Sequence, residues 1–236
     1  MNVIVIGPAG SGKSTFVKHF LDFLKENNYD VKAVNLDPAS DPIYDAHADI
    51  RKFVKTEDIM KKFNLGINGA LVKSMELALQ HVDKIIVGGD YVLYDTPGQM
   101  ELFLYLKHGI EIAKKIAESD FTVGIFIVDS TVANSIENYI SILAQNAVIS
   151  LRMSIPTVTV FNKSDIVEIN FTPSTIKEKI KEVEGILAEI IEQMLGFIEY
   201  TTVRYRTLKI SAINKNGFED VLSIINEVFC SCGDLS

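Results

Sequence analysis

The chain has 236 residues, 47% of them hydrophobic, and a formal net charge of −8. That length and apolar content suit one large α/β domain with a real core. The acidic balance, without a long basic run, argues against nucleic acid as the main partner, because duplex binding is dominated by phosphate neutralisation, and no stretch approaches the roughly 20 apolar residues of a membrane helix.

The first predicted element is a short apolar run, Asn2 to Ile6, that reads as a buried strand and leads straight into Gly7-Pro8-Ala9-Gly10-Ser11-Gly12-Lys13-Ser14. This segment has the spacing of a phosphate-binding loop. A helix is predicted from Ser14, with Phe16, Phe20, Phe23 and Leu24 on one side. Glycines let successive backbone N–H groups point inward around a diphosphate. The helix that begins there aims the positive end of its dipole at the same place. Gly10, Ser11, Gly12, Lys13, Ser14 and Thr15 are therefore candidate nucleotide-binding residues. Lys13 would reach the β- and γ-phosphates, and Ser14 would ligate Mg²⁺. A glycine-rich turn that binds nothing is the plain alternative, and strand, loop, Lys-Ser pair and helix in register speak against it.

The second predicted strand, Val31–Leu36, ends in Asn35-Leu36-Asp37-Pro38-Ala39. Pro38 stops the strand and commits Asp37 to the carboxyl rim of the sheet, where it could bind Mg²⁺ through water or orient an attacking water. A helix is predicted from Thr56, with Thr56 as its cap and Glu57 and Asp58 in an acidic first turn. Another follows from Gly69. Both lie in a helical insertion over 56–87. The next strand is Tyr91–Tyr94, so a strand–helix–strand succession implies a right-handed crossover and parallel pairing. Small Ras-like GTPases place an antiparallel hairpin at this point. The chain leans instead toward the all-parallel branch of phosphate-loop proteins, whose members often work as nucleotide-dependent dimers.

Strand Tyr91–Tyr94 runs into Asp95-Thr96-Pro97-Gly98-Gln99. Asp95 would hold Mg²⁺, directly or through water. Gly98, lacking Cβ, lets its N–H approach a γ-phosphate. Hydrolysis would take that acceptor away, which suits the loop to act as a switch. Gln99 rivals Asp37 for positioning the water. Helices are predicted from Gln99 and Val132, and strands over Thr122–Val128 and Thr157–Phe161. The last of these ends in Asn162-Lys163-Ser164-Asp165. Asp165 can accept both N1–H and the 2-amino group of guanine, a donor pair adenine lacks. Lys163 can lie along the base, and Asn162 can brace the loop. A charged helix is predicted from Thr175 within a second insertion, 172–201. Strand Thr207–Ile210 precedes Ser211-Ala212, where a backbone N–H could meet guanine O6, and a final helix starts near Gly217.

Cys230 and Cys232 are the only cysteines. They cannot complete a four-ligand zinc site with His19, His47, His81 and His108, which lie at no ligand-like spacing. The plain reading is a reduced, cytoplasmic protein. The four arginines, Arg51, Arg152, Arg204 and Arg206, fall outside the nucleotide motifs, which argues against a nucleoside kinase with an arginine lid. No linker or repeat divides the chain. The expectation is a single domain over 1–236: a doubly wound, mainly parallel α/β sheet with helices on both faces, in the P-loop NTPase fold.

Gly7–Ser14, Asp37-Pro38-Ala39, Asp95-Thr96-Pro97-Gly98-Gln99-Met100-Glu101, Asn162–Asp165 and the ending Cys230-Ser231-Cys232-Gly233-Asp234 together resemble the GPN-loop GTPases. The resemblance covers almost the whole chain, and the compact form is similar to an archaeal member. It implies Mg²⁺-dependent hydrolysis of GTP to GDP by a homodimer, in which a Gly-Pro-Asn loop of one subunit enters the other's site. The matching segment here is Gly66-Ile67-Asn68-Gly69, so Ile67 removes proline's fixed φ while Asn68 keeps the amide. Asn68 joins Lys13, Asp37 and Gln99 as a candidate catalytic residue. An ordinary left-handed turn between helices would also fit Gly-x-Asn-Gly. Eukaryotic relatives are linked to RNA polymerase assembly, so the resemblance also implies a second reading. In that reading a slow GTPase uses its nucleotide state to gate the docking of a protein client. A third, an ATPase of the same branch, is opposed by Asn162–Asp165.

Overall fold

The computed structural model describes residues 1–167, 169, 185–201 and 208–233. Among these, seven strands form one parallel sheet: β1 (Asn2–Ile6), β2 (Val31–Asn35), β3 (Ala48–Asp49), β4 (Tyr91–Asp95), β5 (Thr122–Asp129), β6 (Thr157–Asn162) and β7 (Leu208–Lys209). Their order is β3-β2-β4-β1-β5-β6-β7. The helices are α1 (Lys13–Glu26), α2 (Thr56–Phe63), α3 (Ile67–Leu79), α4 (Met100–Leu104), α5 (Lys107–Ser119), α6 (Ile136–Met153), α7 (Ile186–Thr201) and α8 (Phe218–Gly233).

Alternation along the central strands explains why both faces are covered. In β1, Val3 and Val5 pack into one core while Ile4 and Ile6 pack into the other. Successive side chains of a strand point to opposite faces, so a continuous apolar run needs helices on both sides. On the first face lie α1 and α8. Phe16 stacks on Phe20 at 4.9 Å, and Phe218 meets both edge-on at 5.6 and 5.3 Å. Truncating any one of these three buried rings to alanine would cost about 3–5 kcal/mol. The second face is covered by α3, α5 and α6, through Met75 and Ala78, Ile112 and Ile116, and Tyr139 and Ile140. This is the doubly wound α/β P-loop NTPase fold expected from the sequence. β2 pairs in parallel with β4, Val34 opposite Tyr94, so the parallel pairing across 56–87 is as predicted.

Several boundaries differ from expectation. β3 is a two-residue strand on the sheet edge, Ala48 opposite Val34 and Asp49 opposite Asn35, too short to leave a periodic signal. Thr56 is not the cap of α2. Lys55 holds that position without a side-chain bond, Thr56 is the first helical residue, and its buried Oγ1 lacks a partner. The predicted acidic first turn, Glu57 and Asp58, is present. The helix expected from Gln99 is two helices with a break at Tyr105–Leu106, and the one expected from Val132 starts at Ile136, capped by Ser135 Oγ. The Gly66–Gly69 segment is not a left-handed turn. Gly66 caps α3 with φ −67°, and Ile67, Asn68 and Gly69 form its first turn; the left-handed residue is Asn64, φ 50°. Predicted features at 172–184 and Thr207 lie outside the described residues.

β1 lies at the centre, with β4 on one side and β5 on the other. Chain connections leave this point toward opposite faces, and a crevice opens at the carboxyl ends of the strands. The segments after β1, β2, β4, β5 and β6 all meet there.

Candidate functional site

The loop after β1 depends on glycine at two positions. A Cβ on Gly7 would meet Ile127 O at 2.1 Å, so the loop packs directly on the backbone of β5. Gly12 has φ +91°, and a Cβ there would meet Asn162 Nδ2 at 2.4 Å. Its conformation and its closeness to β6 both exclude a side chain. Asn162 Nδ2 then donates to Ser11 O at 2.9 Å, and Asn162 Oδ1 accepts from Ala212 N at 2.9 Å. One buried amide thus ties the phosphate-loop candidate to the two segments suggested for the base.

Lys13 is buried, 6% exposed, and its ammonium donates to Gly7 O at 2.9 Å and Pro8 O at 3.1 Å. Burial lowers its pKa, against the raising charges of Asp95, Asp37 and Glu101. An ammonium held this way is short of anionic partners, a deficit that a phosphate would relieve.

Asp95 ends β4 at 4% exposure. Its Oδ2 accepts a hydrogen bond from Tyr44 at 3.1 Å, and the Ser14 hydroxyl stands beside the carboxyl. Oδ1 is buried without a partner. Burial raises the Asp95 pKa to about 6, although the Ser14 hydroxyl, the Tyr44 bond and Lys13 pull it down. A buried carboxylate oxygen without a partner, beside a serine hydroxyl, offers oxygen donors of the kind a divalent cation takes. Tyr44 keeps its proton, since burial and then the Asp95 charge push its pKa upward.

Asp37 is placed by its own turn. Asn35 Oδ1 accepts from Asp37 N at 3.0 Å, and Asn35 Nδ2 donates to Asp49 Oδ1 at 3.0 Å, binding the turn to β3. The Asp37 carboxylate takes the N–H of Ala39 at 2.8 Å and, weakly at 3.4 Å, that of Gly98. The Gly98 N–H suggested for a γ-phosphate therefore already has a carboxylate acceptor. A phosphate binding there would exchange one anionic acceptor for another.

These groups surround a cavity of about 420 Å³ lined by Gly10, Gly12, Lys13, Ser14, Thr15, Asp37, Asp95, Gly98 and Lys163, with Ser40 and Asp41 from the β2–β3 connection. Lys163, left-handed at φ 66°, reaches across to Gly10 O at 2.9 Å and to Asp129 Oδ2 at 2.6 Å. Asp165 is exposed. Ser211 and Ala212 are buried, but the Ala212 N–H is engaged by Asn162.

Not every candidate joins the cavity. Gln99 is exposed at the start of α4, and Asn68 is exposed in the first turn of α3; neither lines the cavity, and Ser11, Asn162, Asp165, Ser211 and Ala212 lie outside its lining as well. Conversely, sequence reasoning passed over Tyr44, Asp129 and Arg51. Asp129 ends an apolar strand on the same rim, the signal that found Asp95, and could have been found that way. Arg51 forms an ion pair with Asp41, which lines the cavity. It stands just behind the wall although it belongs to no motif. Arg152 is elsewhere, donating to Leu104 O at 2.7 Å over the Tyr105 ring; Arg204 and Arg206 lie outside the described residues. Cys230 is a free, exposed thiol. No helix among the described residues is long and apolar enough to cross a membrane.

A glycine loop between the central strand and α1, with a buried aspartate on the adjacent strand, makes this a P-loop nucleotide-binding protein. Known proteins narrow that class. The family described as a conserved hypothetical ATP binding protein matches residues 5–231. A GPN-loop GTPase of Pyrococcus abyssi is 31% identical over the full length of both chains. The crystal structure of that relative, described as a GTPase in apo form, aligns with a TM-score of 0.83 at 29% identity, covering 98% of each chain. GPN-loop GTPase 3 of Danio rerio is 32% identical over 90% of this chain and 74% of its own. The present chain belongs to the GPN-loop GTPase family.

Proposed function

We propose that the chain binds GTP and hydrolyses it to GDP and phosphate with Mg²⁺, as a homodimer. The observation that carries this reading is the single amide of Asn162, which joins the phosphate loop through Ser11 O to the Asn-Lys-Ser-Asp turn and to Ala212. A phosphate cradle and a guanine-type turn are thereby fixed to one another. The family description speaks of ATP, whereas the relatives are named GTPases. The Asn162–Asp165 turn favours guanine, because a carboxylate needs the N1–H and 2-amino donors that adenine lacks.

In this reading Gly10, Ser11, Gly12 and Thr15 wrap the phosphates, while Lys13 exchanges its two carbonyl acceptors for phosphate oxygens. Ser14 and Asp95, with Asp37 through water, would hold Mg²⁺, which supplies charge neutralisation at the phosphates. Hydrolysis forms a bond between a water oxygen and the γ-phosphorus and breaks the bond from that phosphorus to the β–γ bridging oxygen. Asp37, already beside the Gly98 N–H, orients that water and accepts its proton. Asp165 reads the base edge, Lys163 lies along it, and Ser211-Ala212, held to the turn by Asn162, closes the far side. Asn68 acts across the dimer, each Gly66–Gly69 helix start meeting the partner's phosphates in an isologous arrangement.

One observation favours slow turnover by a lone subunit, and with it the reading in which nucleotide state gates a protein client. Gln99 and Asn68 both stand outside the cavity, so a single chain presents few groups to stabilise transition-state charge. Phosphate release from GTP by the purified chain with Mg²⁺ separates the readings. Sustained GDP and phosphate production without any partner protein supports the enzyme. Stoichiometric GTP retention without turnover supports the gate, and neither binding nor release overturns both.

A further inference from the structure

The connection from β2 to β3 is exposed or half-exposed almost throughout. Between Ala39 and Asp49 a single residue, Tyr44, is buried, at 8% exposure. Ile43 and Asp45 on either side face solvent, while the Tyr44 ring packs in the same core as Phe16 and Leu21. The polar tip of that ring reaches the Asp95 carboxylate, donating to Oδ2 at 3.1 Å. The other oxygen, Oδ1, is the buried acceptor without a partner. The loop so pinned carries Asp37 at its start and presents Ser40, Asp41 and Pro42 to the cavity.

A carboxylate turns broadly about its last torsion, so one that must offer a single oxygen to a cation is usually held through the other. Tyr44 is suited to that task. Its hydroxyl proton is directed at Asp95, and its ring is fixed by packing rather than by solvent-exposed contacts. We propose that Tyr44 is a positioning residue for the nucleotide-bound Mg²⁺: its hydroxyl locks Asp95 so that Oδ1 is presented to the cation, which makes metal-dependent nucleotide affinity conditional on the β2–β3 loop being seated. The inference rests on the proposed Mg²⁺–GTP reading of the cavity and adds to it a residue from outside every nucleotide motif.

The test is the affinity of a fluorescent, non-hydrolysable GTP analogue, titrated in saturating Mg²⁺ and again in EDTA, for the unmodified chain and for Tyr44→Phe. The phenylalanine keeps the buried ring and removes only the donor, and a melting curve checks that the fold is intact. The ratio of the two affinities measures the coupling between cation and nucleotide. Tyr44→Phe is expected to shrink that ratio by about 10-fold or more, the usual scale for losing a group that orients a metal ligand. In an Asp95→Asn background the same change is expected to shrink it no further, because the two residues act as a unit. An unchanged ratio in Tyr44→Phe overturns the proposal. So does an equal loss of affinity with and without Mg²⁺, which marks a merely loosened loop, or a full additional loss in the Asp95→Asn background. If the unmodified chain binds the analogue but shows no Mg²⁺ dependence, the metal part of the functional reading falls together with the role of Tyr44. A Mg²⁺-dependent unmodified chain with an equally dependent Tyr44→Phe removes Tyr44 alone.

Discussion

The rim around Lys13 and the helix start at Gly66–Gly69 are built on opposite plans. At the rim, Lys13, Asp95 and Asn162 are buried and bonded within the chain, Lys13 by its own loop and the other two by separate segments. At the start of α3, Gly66, Ile67, Asn68 and Gly69 are all exposed, and Ile67 presents 52% of its surface to solvent. The first region is assembled before any ligand arrives, which keeps the reorganisation needed on binding small. The second offers helix N–H groups and an amide that this chain leaves facing outward. An apolar side chain exposed beside a helix start is more at home against another surface, in line with the proposal that the segment acts on a second subunit.

The largest effect should come from the buried rim. Lys13→Ala removes the ammonium for which the loop is shaped, and GTP affinity or turnover should fall by about 100-fold or more. Isothermal titration and phosphate release would report it, and near-normal values would break the idea of a preassembled phosphate site. Asp165→Asn comes next. GTP affinity should drop on the order of 30- to 100-fold, the scale of a lost charged hydrogen bond. Xanthosine triphosphate should gain, since its 2-oxo group needs a donor; competition binding would measure both. Asp37→Ala should retain binding while kcat falls by roughly 10- to 100-fold, the lower range for a general base. If Gln99→Ala shows that loss and Asp37→Ala does not, the water belongs to Gln99 despite its place outside the cavity.

The smallest effect sharpens the contrast most. Asn68→Ala should lower kcat by about 10-fold with little change in GTP affinity, because the interaction it removes belongs to the transition state. Mixed with Lys13→Ala chains, it should regain activity at one site of each mixed dimer, where an intact Lys13 meets an intact Asn68. No recovery despite demonstrated subunit exchange would place Asn68 in its own subunit or in a purely structural turn.

How much of this was legible in the sequence follows physical range. Strands β1, β2, β4, β5 and β6 are apolar runs ended by chemistry-bearing residues, and each announces itself locally. So do the glycines of the phosphate loop and the Asp95 and Asn162–Asp165 turns, because a strand end fixes where the next side chain points. Tyr44 gives no such signal: its partner Asp95 lies 51 residues away, and nothing near it in sequence marks a buried phenol. The Arg51–Asp41 pair is equally hidden, since both residues look like ordinary surface charges until β3 folds the connection back onto the sheet. The helix start at Gly66-Ile67-Asn68-Gly69 escapes sequence reading for a different reason. Glycine and asparagine favour turns locally, but the left-handed step is taken two residues earlier by Asn64, which frees Gly66 to cap α3. Thr56 shows the same competition at one residue's scale: a good cap by propensity is drawn into the helix, its N–H given to Pro38 O at 3.0 Å.

The central claim is that one sheet edge holds phosphates and guanine together, and nucleotide competition tests it most directly. A fluorescent GDP bound to the unmodified chain in Mg²⁺ would be displaced by GTP, GDP and ATP in turn. GTP and GDP are expected to displace it at comparable concentrations, with ATP weaker by about 100-fold or more, the scale at which a site built to bond a donor pair rejects a base without it. Displacement by ATP as effective as by GTP would contradict the account, because the Asn162–Asp165 turn would then not be reading the base.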